Sequence, residues 1–191
     1  MPLIHINAPE VEPVTVSEVM DAFRGDDEAA FTAQATMVIK ALRRMAEAMT
    51  GRALITQTME LVLDDFPRGE IDLLLPNVQS IASVKYLDIN DDEQQLSSNK
   101  YVLDNVGTPC RLFSVMNTAW PDTVAMVNAV RVRFVVGFGA AGSDVPEDIR
   151  IWIIAHAVQI LNNPDGMVDQ TFRPLPFIDR LLDQYVVYRV F

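Results

Sequence analysis

Thr50-Gly51-Arg52-Ala53-Leu54-Ile55-Thr56-Gln57-Thr58 is the stretch on which the reading of the fold turns. Before it, Phe31, Ala35, Val38, Leu42, Met45 and Met49 recur at spacings of three and four, which predicts a helix to about residue 49 with one apolar stripe. Lys40, Arg43 and Glu47 fall on its opposite face. After the stretch the period drops to two. Ile55, Met59, Leu61 and Leu63 alternate with Thr56, Thr58 and Glu60, which predicts a half-buried strand over 53–63. Gly51 suits the join, because a left-handed residue ends a helix and glycine adopts that conformation without a Cβ clash.

The reverse switch follows Gly142. Asp144 and Glu147 supply capping carboxylates and Pro146 is tolerated in a first turn, so a helix is expected over 146–161. Its candidate buried face is Ile149, Trp152, Ile153, His156, Ala157 and Ile160. Between the two switches, short strands are expected at 71–75, 84–89, 95–97, 101–104, 111–114 and 128–136, a spacing that predicts an antiparallel sheet or small sandwich. In the last of these Val130, Val132 and Phe134 point inward, and Arg131 and Arg133 point out as a solvated face, a cross-strand pair or an intersubunit contact. Near the start, Thr15 and Glu18 fit a capping box opening a short helix to Phe23, with Val16, Val19, Met20 and Phe23 on its buried face. The expected fold class is α+β. Helices of residues 15–52 and 144–191 form a core, residues 53–143 form a β-rich antiparallel insert lobe with a Gly-rich link, and residues 1–14, with three prolines, form an extended arm of the kind that reaches a neighbouring subunit. A last helix is expected near 178–188.

With 191 residues, half of them hydrophobic, the chain can fill one good core or two small ones. Its apolar runs fall well short of the roughly 20 residues a membrane-spanning helix needs, and its start lacks a signal-peptide layout. The expectation is a soluble, cytoplasmic protein with no membrane partner. A single cysteine, Cys110, makes no internal disulfide, and it reads as an inert strand or loop residue. The net charge of −11, with acids outnumbering bases along the whole chain, argues against binding nucleic acid by phosphate neutralisation. Either the acids form an ordinary solvated surface, or some line a passage through which DNA slides without sticking.

Candidate chemical motifs are few. Gly137-Phe138-Gly139-Ala140-Ala141-Gly142 has dinucleotide-motif spacing, but no helix opens within it, acidic residues occupy its mouth and no ribose-binding acid follows about 20 residues on, so no nucleotide cofactor is expected. The glycines read instead as a flexible link. His156 sits on the apolar side of its helix near Trp152 and reads as a satisfied buried or interface histidine, since no nucleophile signature accompanies it. Asp64-Asp65 and Asp91-Asp92-Glu93 lack calcium-loop spacing, so no metal is expected. No catalytic set is present, and the chain is not expected to be an enzyme. Trp120-Pro121 lies in a polar loop, where the indole packs on its own sheet or on a partner. The C-terminus, Tyr185-Val186-Val187-Tyr188-Arg189-Val190-Phe191, is rich in the aromatic and arginine anchors of interfaces.

Taken in order, Val14-Thr15-Val16-Ser17-Glu18, Thr50-Gly51-Arg52, the strand from Leu54, Pro76 before Val78-Gln79-Ser80-Ile81, Tyr101, Trp120-Pro121, the strand from Asn128, Gly137-Phe138-Gly139, Val145-Pro146-Glu147-Asp148-Ile149 and Leu181-Leu182 with Tyr185 and Arg189 span most of the chain. In that combination the chain resembles the head-tail connector (adaptor, or head-completion) proteins of tailed bacteriophages, prophages and gene transfer agents. Asn162-Asn163-Pro164 departs from the arginine-containing helix end of that family. The resemblance implies a structural virion protein at the head-tail interface, present in host cytoplasm during assembly. It implies a homo-oligomeric ring, twelvefold, that binds the portal protein, presents a surface to a stopper or tail-completion protein and lets genomic DNA pass without specific binding. Tyr185, Tyr188, Arg189, Val190 and Phe191 are the expected portal-docking residues, and Trp120, Arg131 and Arg133 the expected intersubunit or tail contacts. The alternative is a small-ligand or sugar-binding module of a virion or surface assembly, with Trp120 in its pocket.

Overall fold

In the computed structural model, residues 2–23, 29–115, 118–162 and 175–187 are described, the side chains of 29–31 excepted. The chain divides into two units: Met1–Pro9 with Thr56–Gly137, and Glu10–Ile55 with Phe138–Phe191. Both are built from the α+β elements expected, helices in one and antiparallel sheets in the other.

The first unit holds β1 (Leu3–Asn7), β2 (Gln57–Leu63), β3 (Ile71–Asp72), β4 (Val78–Leu87), β5 (Glu93–Gln95), β6 (Tyr101–Asp104), β7 (Arg111–Ser114) and β8 (Val130–Val136). They form a five-stranded sheet of order β1-β2-β8-β4-β5 and a three-stranded sheet of order β3-β7-β6, with every pairing antiparallel. Strand β8 lies at the centre of the larger sheet. Its alternation is as expected: Val130, Val132, Phe134 and Val136 are buried, and Arg131 is exposed. Strand β2 is more deeply placed than its alternation suggests. It is flanked by β1 and β8 and is buried without a break from Met59 to Leu63, Glu60 included. The buried Glu60 carboxylate is matched by its register partner Arg133, whose Nε and Nη2 donate to Oε2 at 3.0 and 2.8 Å.

The N-terminal segment, expected to be an extended arm, is divided between the two units. Leu3–Asn7 is the edge strand of the larger sheet, and Val14 is buried in the helical unit. Strand β4 begins at Val78, six residues before the expected start, because bulges between Val78 and Ser80 and between Ile81 and Ser83 break its two-residue period.

The second unit comprises α1 (Val16–Phe23), α2 (Ala29–Thr50), α3 (Glu147–Asn162) and a short α4 (Pro176–Asp179) that tightens into a 3-10 turn at Arg180–Tyr185. One core joins them: Val19 of α1, Ala35, Ile39, Leu42 and Ala46 of α2, Ile149, Trp152, Ile153, Ala157 and Leu161 of α3, and Leu182. The last helix is thus shorter than expected. Helix α1 opens with the full capping box. The Thr15 hydroxyl accepts the Glu18 N–H at 3.2 Å, while Glu18 Oε2 accepts the Thr15 N–H at 2.7 Å. Helix α2 closes on Gly51, whose φ of 68° is the left-handed cap expected and whose N–H donates to the Glu47 carbonyl at 2.9 Å.

The buried stripe of α2 is rotated from the one expected. It runs through Ala35, Ile39, Leu42, Ala46 and Thr50, while Met45 and Met49 are exposed and Val38 is half-buried; the Phe31 side chain lies outside the described residues. Arg43, expected on the solvent face, is only 6% exposed. Its Nε donates to Glu12 Oε2 and its Nη1 to Glu47 Oε2, both at 2.7 Å, and Glu47 Oε1 accepts the Leu54 N–H at 3.1 Å. Two carboxylates offset the cost of burying the guanidinium, and Glu12, outside the helix, was invisible to helical periodicity.

Candidate functional site

The glycine motif is built for close packing. A Cβ on Gly139 would stand 2.2 Å from Asp144 Oδ2, and one on Gly142 would stand 2.8 Å from the Pro13 carbonyl oxygen. The Asp144 carboxylate accepts the Ala141 N–H at 2.9 Å, so it closes this turn on its own backbone. These glycines are therefore steric requirements of the helical unit and not merely a flexible link.

His156 is satisfied on both nitrogens. Nδ1 lies 2.8 Å from the Trp152 carbonyl oxygen, Nε2 lies 3.0 Å from Asp179 Oδ1, and the imidazole stacks on the Trp152 indole at a centroid distance of 4.2 Å. Asp64 and Asp65 are likewise engaged: Asp64 Oδ1 accepts the Asn128 N–H, and Asp65 Oδ1 accepts the Phe66 N–H and the Thr123 hydroxyl. Asp88 is held below the usual carboxylate range, first by the Asn90 N–H and then by that of Asp92, in the turn between β4 and β5. Among the described residues no group of three or more His, Cys, Asp and Glu is arranged to hold a metal ion, and no described helix is long and apolar enough to cross a membrane. The Cys110 thiol is buried.

Trp120 packs within its own unit. Its indole stacks on Phe66 at 5.1 Å with the planes 2° apart, its Nε1–H donates to the Gly69 carbonyl at 2.8 Å, and Phe66 in turn meets Tyr86 edge-on. A cavity of about 570 Å³ lies beside it, lined among others by Asp65, Arg68, Phe113 and Asp122. One face of the indole and its only donor are thus engaged within the unit. Arg133 is committed to Glu60, and Arg131, opposite Lys85 in the ladder, is exposed.

Of the C-terminal residues, Tyr185 is described, and Tyr188, Arg189, Val190 and Phe191 lie outside the described residues. The Tyr185 ring meets Phe138 edge-on, its hydroxyl donates to Asp148 Oδ2 at 3.1 Å, and its carbonyl accepts from Arg52 Nε at 2.7 Å. Burial, and then the Asp148 carboxylate, raises the Tyr185 pKa above its ordinary value. Tyr185 thus anchors the end of the described chain to the helical unit.

The sequence gives no warning of two apolar faces on that unit. One is the outer side of α2, where Met37 and Met45 are exposed, and the other is a groove of about 490 Å³ along the outer side of α3. Amphipathic periodicity assigns long apolar side chains to the core, so only the rotated stripe of α2 reveals that these methionines face out.

Among the described residues two apolar helix faces are exposed, and the fold has counterparts in particle assemblies. In fold, the chain is similar to gene transfer agent components. It superposes on a chain from the neck of an empty gene transfer agent particle computed with C6 symmetry, with a TM-score of 0.84 and 21% identity, over 100% of this chain and 98% of that one. A chain from the virion of a native gene transfer agent particle gives 0.76 at 21% identity, and one from the neck of a native particle computed with C12 symmetry gives 0.72 at 20%, with the same coverage. No protein-family model and no curated protein sequence matches the chain.

Proposed function

We propose that this chain is a structural neck protein of a phage-like particle, a head-tail connector. In this reading it forms a homo-oligomeric ring, twelvefold, at the head-tail interface of the virion, having assembled there from the host cytoplasm. The ring sits beneath the portal, joins the DNA-filled head to a stopper or tail component and lets the DNA through. The observation that carries the reading is full-length agreement in fold, in both units, with neck chains of gene transfer agent particles. Two further features support it. A closed ring needs two different faces on each copy, which the outer sides of α2 and α3 supply. A net charge of −11 suits a channel through which DNA moves without sticking.

Portal docking belongs, in this reading, to Tyr188, Arg189, Val190 and Phe191 together with Tyr185, which Asp148 and Phe138 hold in the helical unit. The ligand-binding alternative has less support, because Trp120 is engaged by Phe66 and Gly69. The reading is tested by producing particles without this chain. Filled heads unattached to tails are expected, and tailed particles at normal yield would overturn the proposal. Removal of residues 188–191 alone should leave a folded protein that no longer restores joining.

A further inference from the structure

The outer side of α2 is an apolar surface that the described residues of the helical unit leave exposed. Ala33, Met37, Ala41, Met45 and Ala48, at successive spacings of three or four, are all exposed, and they lie opposite the buried Ala35, Ile39, Leu42 and Ala46. Small alanines between methionines let another backbone come close, and methionine fills irregular gaps. Exposed Lys40 and Arg44 lie on the same face, and neither forms an ion pair among the described residues.

The same unit carries a second apolar surface of opposite character. The 490 Å³ groove is lined by Ala22 of α1, by Ile151, Ile154 and Val158 of α3, and by Leu175 and Ile178. Ile151, in the second turn of α3, is 47% exposed. Among the exposed charged groups near these residues in sequence are two carboxylates and, two residues after Ile178, Arg180. Asp21 adjoins Ala22, and Glu147 stands one turn before Ile151; neither is paired with a cation among the described residues.

We infer that the α2 face of one copy seats in the α1–α3 groove of the next copy, with Lys40 and Arg44 facing Asp21 and Glu147. The contact is heterologous. Such a contact repeats from copy to copy and closes into a ring when its rotation allows, whereas two identical faces would stop at a dimer. Charge complementarity selects the occupant: Lys40 and Arg44 on the α2 face match Asp21 and Glu147, which outnumber Arg180 beside the apolar groove, and neither face fits a second copy of itself. The inference rests on the ring reading above and names its subunit interface.

Two separately purified variants test it, Met45→Cys and Ile151→Cys, combined with a short bismaleimide. The native Cys110 is buried and serves as the background control. Cross-linked dimers are expected in the mixture and not in either variant alone, and a chain carrying both cysteines should give a ladder of oligomers. Equal cross-linking within either single variant would overturn the heterologous contact. Rings seen by native mass spectrometry without cross-links in the mixture would overturn this interface and leave the ring reading standing. A chain that remains monomeric at its highest soluble concentration and on portal-bearing heads would overturn both. Unchanged melting temperatures for the variants show that each result concerns the interface and not the fold.

Discussion

Arg43 shows how a single residue can be misplaced by pattern alone. Its position in the α2 sequence puts it beside Lys40, yet its guanidinium bridges Glu12 and Glu47 inside the helical unit. Removing one member of a buried ionic cluster strands the others, so Arg43→Ala should lower stability by about 3 kcal/mol in a denaturant titration. A loss below about 1 kcal/mol would show that the cluster is hydrated and weak. Glu18 gives a pH prediction. Its pKa lies below the ordinary glutamate value, chiefly because its carboxylate accepts the Thr15 N–H, with the Thr15 hydroxyl and Arg150 adding to the effect against partial desolvation. A lowered carboxylate pKa stabilises the fold above the unfolded value and loses that contribution as pH falls through the folded value. The wild type should therefore lose stability below the ordinary glutamate range, and Glu18→Gln should show a shallower acid slope over the same window by thermal melts.

At the scale of elements, the features legible in the sequence were those set by local chemistry. The Thr15 and Glu18 capping box, the Gly51 cap, the inward Val130, Val132 and Phe134 and the buried Ile149, Trp152 and Ile153 all depend on residues within a turn or two of each other. The features missed depend on distant partners or broken periods. The N-terminal residues become β1 only because β2, more than fifty positions on, offers an edge. Bulges conceal the start of β4, and the true stripe of α2 uses alanines whose small side chains carry little hydrophobic signal. Trp120 and Arg133 pair with Gly69, Phe66 and Glu60 within their own unit, the packing on its own sheet and the cross-strand pair that are among the sequence-based expectations. The glycine turn offers a test here. An alanine at Gly142 would press its Cβ to within 3 Å of the Pro13 and Glu12 carbonyl oxygens, both backbone atoms, so Gly142→Ala should cost about 2 kcal/mol. Gly51→Ala, where the contact is an ordinary 3.5 Å from Val187 and only the left-handed φ is strained, should cost about 1 kcal/mol by the same denaturant titration.

At the scale of the whole molecule, charge sets what the chain repels. Twenty-six acids against fifteen bases leave a long-range field that repels phosphate, so the purified protein should bind duplex DNA negligibly at physiological salt. Micromolar binding that weakens as salt rises would contradict the picture of a channel that DNA slides through, and a gel-shift or anisotropy titration decides it. The full-length agreement in fold with neck chains at about one fifth identity indicates that this architecture withstands extensive sequence replacement. Cores tolerate such change when volume and pattern are kept, and function resides in sites carried by the fold and not in the fold itself. The central claim is therefore best tested in place, by cryo-electron microscopy of portal-bearing heads mixed with this protein. The account predicts a closed ring of this chain beneath the portal, twelve copies around the DNA channel, with α2 of each copy against its neighbour. Heads that leave the portal bare at saturating protein, or that carry the chain only as scattered single copies elsewhere on the shell, would contradict it.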